Sequence, residues 1–91
     1  MKIMKFFVPA TVEERALDSQ LERFGIKTEN IDVTKDEEKA KKYKVNLTPT
    51  LIFADDKDKE VDRIEGVVRT SILIGKLKEH KIKIERKEEQ I

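Results

Sequence analysis

The chain has 91 residues, enough for one domain with a single modest core. Charged residues make up 43% and hydrophobic residues 37%. Because apolar positions recur along the whole chain, this composition indicates a folded core under a charged surface, not disorder. Twenty basic residues nearly balance nineteen acidic ones, so no strong field is present to attract nucleic acid or an anionic membrane.

The sequence contains no cysteine, which excludes a thiol nucleophile, a disulfide and a Cys-ligated metal. Its one histidine, His80, falls near the end of a predicted helix. No second histidine accompanies it to form a metal pair, so we predict no metal site and no other cofactor. The opening apolar run is too short for a signal peptide, and no stretch is long enough to span a bilayer. We therefore expect no membrane partner and a cytoplasmic location.

The first quarter of the chain predicts a strand followed by a helix. Residues 2–8 (KIMKFFV) are rich in large apolar residues and end at a proline, as a strand would. Thr11 and Glu14 have the spacing of a capping box, in which the Thr hydroxyl accepts from the N–H of Glu14 and the Glu carboxylate reaches back to the N–H of Thr11. A helix over 12–24 follows, and Gly25 ends it in a left-handed conformation. The apolar stripe of this helix consists of Ala16, Leu17, Leu21 and Phe24.

Residues 26–33 (IKTENIDV) predict a second strand, with Ile31 and Val33 on one face. Thr34 and Glu37 repeat the capping-box spacing and predict a short helix across DEEKAKKYKV. The residues of this helix that we expect to face inward are Ala40 and Tyr43.

The third and fourth strands are predicted to form a hairpin. Residues 49–54 (PTLIFA) are strongly apolar, and 60–67 (EVDRIEGV) alternates as a half-buried strand does. The charged run DDKDK forms the turn between them. We expect Val61 and Ile64 to anchor the fourth strand in the core, and Gly66 to form the turn that closes it.

A third helix is predicted to begin with Thr70 or Ser71 as its cap, although Gly75 weakens the pattern. The final run alternates briefly and then becomes charged, as a short strand or a frayed end does. We therefore predict a domain over 1–80 and a charged tail over 81–91. The apolar side of the third helix consists of Ile72, Leu73, Ile74 and Leu77.

The element order is β-α-β-α-β-β-α, which predicts an α/β fold. The first two strands are parallel because a helix connects them, and the hairpin adds two more. The expected architecture is a central four-stranded mixed sheet flanked by helices.

This order and one junction resemble the thioredoxin/glutaredoxin family. Small members carry a pattern similar to F-x-x-P-x-C-x-x-C-K-x-L at the start of their first helix. The corresponding run FFVPATVEERAL matches this pattern at Phe6, Pro9 and Leu17 and keeps a basic residue at Arg15. The resemblance implies a thioredoxin-like fold over roughly residues 2–80.

A second motif, NLTPTLIF, is similar to the family's loop in which a cis-proline precedes an apolar strand. The resemblance implies that Thr48–Pro49 is the cis peptide. It also implies that the exposed backbone at this loop pairs with an extended peptide or with glutathione, which is a form of strand addition.

The chain departs from the family at the two cysteine positions, which Thr11 and Glu14 occupy. The family's chemistry needs a thiolate of low pKa that attacks a disulfide, and a threonine hydroxyl cannot replace it. As a nucleophile of another kind, Thr11 would need an adjacent base, and Glu14 is a poor one. Capping of the helix therefore explains both residues best, and we predict no catalytic residue.

The main hypothesis is a redox-inactive, thioredoxin-like binding module that holds a peptide or a protein partner in a groove beside the cis-proline. Two alternatives stay open. One is an enzyme that binds glutathione or another thiol and activates it without a cysteine of its own. The other is a redox protein whose cysteines have been lost, either naturally or by design. The predicted groove residues are Pro9, Thr11, Val12, Glu13, Glu14, Thr48, Pro49 and Gly66.

Overall fold

A computed structural model describes residues 1–85 of the chain. The elements in chain order are β1 (Lys2–Phe7), α1 (Val12–Arg23), β2 (Glu29–Asp32), α2 (Glu37–Lys42), β3 (Thr50–Ala54), β4 (Glu60–Glu65) and α3 (Thr70–Glu79). The four strands form one sheet in the order β2-β1-β3-β4, in which β1 and β2 are parallel and the other two pairs are antiparallel. The predicted fold class and element order are confirmed.

Two hydrophobic clusters lie on opposite faces of the sheet. On the first face, α1 and α3 bury Leu17, Leu21, Leu73 and Leu77 against the strands. On the second face, the segment of α2 buries Tyr43 against Met4, Phe6, Ile31 and Ile52, with Val33 and Ala40 packed at the margin. The predicted inward positions of Ile31, Val33, Ala40 and Tyr43 are therefore confirmed. This alternation follows from the pleat of β1, in which successive side chains point to opposite faces.

The end of α1 explains why β2 starts later than predicted. Gly25 has φ +69° and donates to the carbonyl of Glu22 at 3.1 Å, while Ile26 donates to the carbonyl of Leu21 at 2.9 Å. These two bonds form a Schellman motif, which confirms the predicted left-handed Gly25. Because Ile26 serves to close the helix, strand pairing begins only at Glu29.

The helix starts agree with the prediction only in part. The hydroxyl of Thr11 accepts from the N–H of Glu14 at 3.2 Å, as predicted. Within residues 1–85, however, the carboxylate of Glu14 pairs with Lys5 instead of returning to the N–H of Thr11, so that half of the capping box is wrong.

The predicted caps of α2 and α3 are wrong. The cap of α2 is Asp36, whose carboxylate accepts from the N–H of Lys39 at 3.1 Å. Thr34 instead donates its hydroxyl to the carboxylate of Asp32. In the described chain α3 begins after Arg69 without a side-chain cap. Thr70, the first residue of α3, donates its hydroxyl to Gln20 at 3.1 Å.

Val61 is not a core anchor of β4, because it is 47% exposed. Phe53 pairs with Asp62 and Ala54 pairs with Glu60, so Val61 is the extra residue of a β-bulge. Ile64, the other predicted anchor, is buried. On α3 the predicted apolar side holds for Leu73, Ile74 and Leu77 but not for Ile72, which is 48% exposed.

The chain continues along the domain after α3. Ile82 and Ile84 pack against the core, and Glu85 donates its N–H to the carbonyl of Phe24 at 2.7 Å. Of the two alternatives predicted for the tail, a short strand or a frayed end, residues 81–85 do not form the strand, and residues 86–91 lie outside the described residues. Among the three helices of the described chain, none has both the length and the hydropathy that a membrane crossing requires.

Candidate binding groove

Strand register brings the predicted groove segments to one edge of the sheet. Thr50, the first residue of β3, pairs with Phe6 near the end of β1 and with Glu65 at the end of β4. The loop after β1, the loop before β3 and the turn after β4 therefore leave the sheet side by side. A hydrogen bond of 2.8 Å from the N–H of Gly66 to the carbonyl of Pro49 joins two of them directly.

The loop after β1 is held by Thr11. Its hydroxyl donates to the carbonyl of Val8 at 3.2 Å and accepts from the N–H of Glu14 at 3.2 Å. Both contacts are local, so they organise the turn from strand to helix. Pro9 is exposed here, and Val12, which begins α1, is 77% exposed.

The loop before β3 contains the Thr48–Pro49 peptide bond, which is cis. Pro49 itself is buried and Thr48 is half-buried, while Leu47 is 53% exposed. The hydroxyl of Thr50 donates to the carbonyl of Leu47 at 2.6 Å and fixes the loop onto the strand. The accessible apolar surface of this loop therefore comes from Leu47, which the sequence analysis did not single out.

The turn after β4 depends on Gly66, whose φ of +78° disfavours any residue with a side chain. The next residue, Val67, is 76% exposed. The side-chain amide of Gln20 on α1 donates to the carbonyl of Val68 at 2.9 Å and so ties the turn to α1.

A shallow apolar cleft of about 220 Å³ separates α1 from the turn after β4. Val12 and Glu13, both predicted groove residues, lie on its α1 side. Val67 and Val68 form the opposite side. The remaining lining residues are Ala16, Leu17 and Gln20.

A buried charge that the sequence analysis missed lies beneath this edge of the sheet. The side chain of Lys5 on β1 is 3% exposed, and its ammonium contacts Glu14 at 2.8 Å and also Asp18. It lies 4.6 Å from the centroid of the Phe7 ring. Glu14 therefore points inward to Lys5 and, with its side chain only 12% exposed, contributes little surface to the predicted groove. The signal in the sequence was a lysine inside an apolar strand, with two carboxylates one turn apart on the next helix.

The neighbouring charged groups also determine the pKa of Asp18. Burial by itself raises the pKa of this carboxyl group, but the hydrogen bonds that Asp18 shares with Glu14 and Lys5 lower the pKa below its ordinary value. Asp18 therefore keeps its negative charge beside the ammonium of Lys5.

A larger open cavity of about 720 Å³ lies at the other end of α1. It is bounded by Gly25, Thr28, Asn30 and Glu85, among others. Glu85, the last residue that the structure describes, lines one side of this cavity. The predicted groove residues lie elsewhere.

Comparison with known proteins agrees with the fold. A family model described as a thioredoxin-like domain matches residues 2–81. Among curated proteins, a sequence search finds no match.

Several solved thioredoxins superimpose on the chain. Thioredoxin 1 from Thermosipho africanus has 22% identity and a TM-score of 0.69, with 89% of this chain and 94% of that chain covered. A mutant thioredoxin from Halobacterium salinarum has 22% identity and a TM-score of 0.71, with 85% and 71% covered. Thioredoxin from Fasciola hepatica has 29% identity and a TM-score of 0.65, with 86% and 78% covered.

The first two superpositions support the fold alone, and the family match covers most of the sequence. The resemblance that Phe6, Pro9 and Leu17 indicated is thus confirmed, although this sequence supplies no thiol at Thr11 or Glu14. The chain belongs to the family of thioredoxin-like domains.

Proposed function

We propose that this domain is a redox-inactive binding module that holds an extended peptide segment of a partner protein at the loop edge of the sheet. The groove would run across the loop of residues 9–14, the Thr48–Pro49 turn and the Gly66 turn. The observation that carries the proposal is that each of the three segments at this edge presents one large, exposed aliphatic side chain. These are Val12 (77% exposed), Leu47 (53%) and Val67 (76%).

Exposed aliphatic side chains that converge on one edge favour a binding surface, because isolated ones are common but a contiguous set is not. Covering a valine side chain contributes about 1.5 kcal/mol or more through loss of apolar surface from water. Main-chain pairing at the Thr48 loop would add hydrogen bonds that need no particular side chain. Such binding therefore does not require a cysteine.

The lack of a thiol supports the redox-inactive part of the proposal. A thiolate is the attacking group in thiol–disulfide exchange, and the side chains at Thr11 and Glu14 are committed to a helix cap and to Lys5. Glutathione is a weaker candidate ligand than a peptide segment, because it carries two carboxylates and Glu13 lines the cleft. The cytoplasmic location remains part of the proposal and rests on composition.

Peptide selection with matched variants tests the groove. Peptides selected from a random library on the wild-type protein should bind about tenfold or more weakly to Val12→Ser with Val67→Ser, since two apolar contacts are lost. Val61→Ser is the matched control, because Val61 is also an exposed valine but lies at the bulge of β4. Peptide affinities that are equal in the double variant and the control would contradict the proposed groove.

Amide chemical shifts provide the second measurement. A bound peptide should shift the amides of Val12, Leu47 and Val67 together, although these residues are far apart in sequence. Shifts of the same amides in millimolar glutathione would favour the thiol-binding alternative. Reduction of insulin disulfides above a buffer blank, with contaminating oxidoreductases excluded, would contradict redox inactivity.

A further inference from the structure

A second cluster of polar side chains lies away from the groove, toward the opposite end of the sheet. Asp62 on β4 pairs across the sheet with Phe53 of β3, three residues beyond Thr50. Glu79 and His80 lie at the end of α3. One ligand atom from each of Asp62, Glu79 and His80 lies within 4.8 Å of the other two. We propose that these three side chains bind a divalent transition-metal ion such as Zn²⁺.

The imidazole of His80 is held in place before any ion arrives. Its ring stacks on Phe53 with a centroid distance of 5.2 Å and an interplanar angle of 26°. Phe53 is fully buried, so it forms a rigid support. In this position the Nε2 atom of His80 lies 2.9 Å from Oδ2 of Asp62. A metal ion would therefore meet a nitrogen and an oxygen ligand already oriented toward each other.

The donor set and its spacing fit zinc. Imidazole nitrogen favours Zn²⁺ and its neighbours in the transition series over Mg²⁺, which prefers oxygen alone. Bonds of about 2.0–2.2 Å to a tetrahedral Zn²⁺ separate two ligand atoms by about 3.3–3.5 Å. The contact between Asp62 and His80 would thus open by a few tenths of an ångström. Glu79 is exposed, so water can complete the coordination on that side.

The position of the site at the end of α3 also favours a cation. The carboxyl end of a helix carries partial negative charge from its last carbonyl groups. The chain turns sharply after His80, where Lys81 has φ +57° and Ile82 donates to the carbonyl of Leu77 at 2.8 Å. This helix end holds Glu79 and His80 close to Asp62 on β4. The three ligands therefore come from two elements, α3 and β4, that already pack together in the fold.

Lys76 is the competitor for this site. Its ammonium lies 2.8 Å from Oδ2 of Asp62, the same atom that contacts His80. In the absence of a metal, the ammonium of Lys76 compensates the negative charge of Asp62. An incoming cation must therefore displace or repel Lys76. Removing this positive charge should therefore strengthen metal binding, whereas an ion held elsewhere on the surface would not respond to it.

Zn²⁺ titration of the purified protein by calorimetry, in a buffer that does not chelate metals, tests the site. The wild type should bind one ion per chain. Glu79→Gln and His80→Gln should each weaken binding about tenfold or more, because each removes a direct ligand. Lys76→Met keeps most of the aliphatic stem and should tighten binding about tenfold. Asp56→Asn, an exposed carboxylate on the β3–β4 turn, is the matched control and should bind as the wild type does.

The NMR signals of the His80 ring provide a direct readout, because Zn²⁺ bound at Nε2 must shift them. Glu79 is exposed, so the Glu79→Gln variant keeps the proposal testable even if the variant at His80 unfolds. The proposal is wrong if Lys76→Met shows no saturable binding up to millimolar Zn²⁺. It is equally wrong if Glu79→Gln binds Zn²⁺ as tightly as the wild type, or if the His80 signals do not move.

Discussion

Lys5 and Arg63 lie on opposite faces of the sheet, and their charges are compensated in different ways. On the α1 face, Lys5 is almost fully buried, and the carboxylates that contact its ammonium are Glu14 and Asp18. On the α2 face, Arg63 of β4 is 21% exposed and binds Glu60 and Glu65 through its guanidinium. Arg63 also donates to the carbonyls at the end of the α2 segment, which belong to Tyr43 and Lys44.

The two cations differ in how well water can replace a lost contact. The ammonium of Lys5 has little access to water, so its charge depends on two carboxylates from one helix. The contacts of Arg63 spread over several groups near the surface, and water can replace many of them. A buried ion pair is costly to break from one side, whereas an exposed network loses less. The α1 face should therefore be the more sensitive of the two to single charge changes.

The largest expected effect follows from Glu14→Gln. This change removes the charge of the more buried carboxylate that contacts Lys5 and leaves its ammonium with Asp18, which is half-exposed. We expect the free energy of unfolding to fall by about 2–3 kcal/mol, since a buried charge is left partly uncompensated. Urea unfolding at pH 7 measures the change.

A double variant separates the loss of charge pairing from other effects of this substitution. Lys5→Met combined with Glu14→Gln should recover stability to within about 1 kcal/mol of the wild type, because an apolar side chain then occupies the buried position. A loss of less than about 0.5 kcal/mol in Glu14→Gln alone would show that Lys5 does not depend on Glu14.

Arg63→Met should have a smaller effect, about 1–2 kcal/mol, because the Arg63 side chain is partly exposed and water can replace some of its contacts, such as the exposed one with the Lys44 carbonyl. Arg63→Lys keeps the charge but loses the fork of donors, so it should recover only part of the loss. Urea unfolding midpoints of both variants measure this. Full recovery by lysine would mean that charge alone, and not the donor geometry, matters on the α2 face.

The elements of the fold could be predicted because their signals are local. Gly25 ends α1 as expected, since a left-handed residue after an apolar stripe is a strong stop signal. The periodicity of α1 and the alternation on β2 likewise identified the buried sides. The pairing of the strands then follows from the order of the elements and short connections.

What could not be predicted depends on contacts between distant residues or on competition among neighbours. The partners of Lys5 lie nine and thirteen residues away on another element, so they are found only when the strand and the helix are considered together. Thr34 cannot cap α2 because its hydroxyl and N–H donate to Asp32 at 2.6 and 2.9 Å, and this turn leaves Asp36 to cap the helix. The bulge that exposes Val61 arises from pairing with β3. In the groove, the exposure of Leu47 and Val67 is likewise a property of assembled loops.

The N-cap residues of α1 and α2 allow the two faces to be compared through substitutions with a smaller expected effect on stability. Thr11→Ala should lower the free energy of unfolding by about 1 kcal/mol, through loss of the bond to the N–H of Glu14. Asp36→Ala is the matched change on the α2 face, where the cap serves a helix of six residues. An unchanged urea midpoint for Thr11→Ala would contradict the role of this hydroxyl at the start of α1.

The smallest expected effect concerns the acid sensitivity of the α2 face. The hydrogen bond from Arg63 is the main cause that lowers the pKa of Glu60 below its ordinary value, while partial burial and neighbouring Asp62 oppose it. Because the pKa is lower in the folded state, the contribution is present above the unfolded-state pKa and disappears as the pH falls through the folded-state value. Glu60→Gln should therefore cost about 0.5 kcal/mol at pH 7, since the pair is partly exposed to solvent, and almost nothing at pH 2. Urea midpoints of the wild type and the variant at the two pH values measure this, and a difference of equal size at both would show that Glu60 acts through packing and not through its charge.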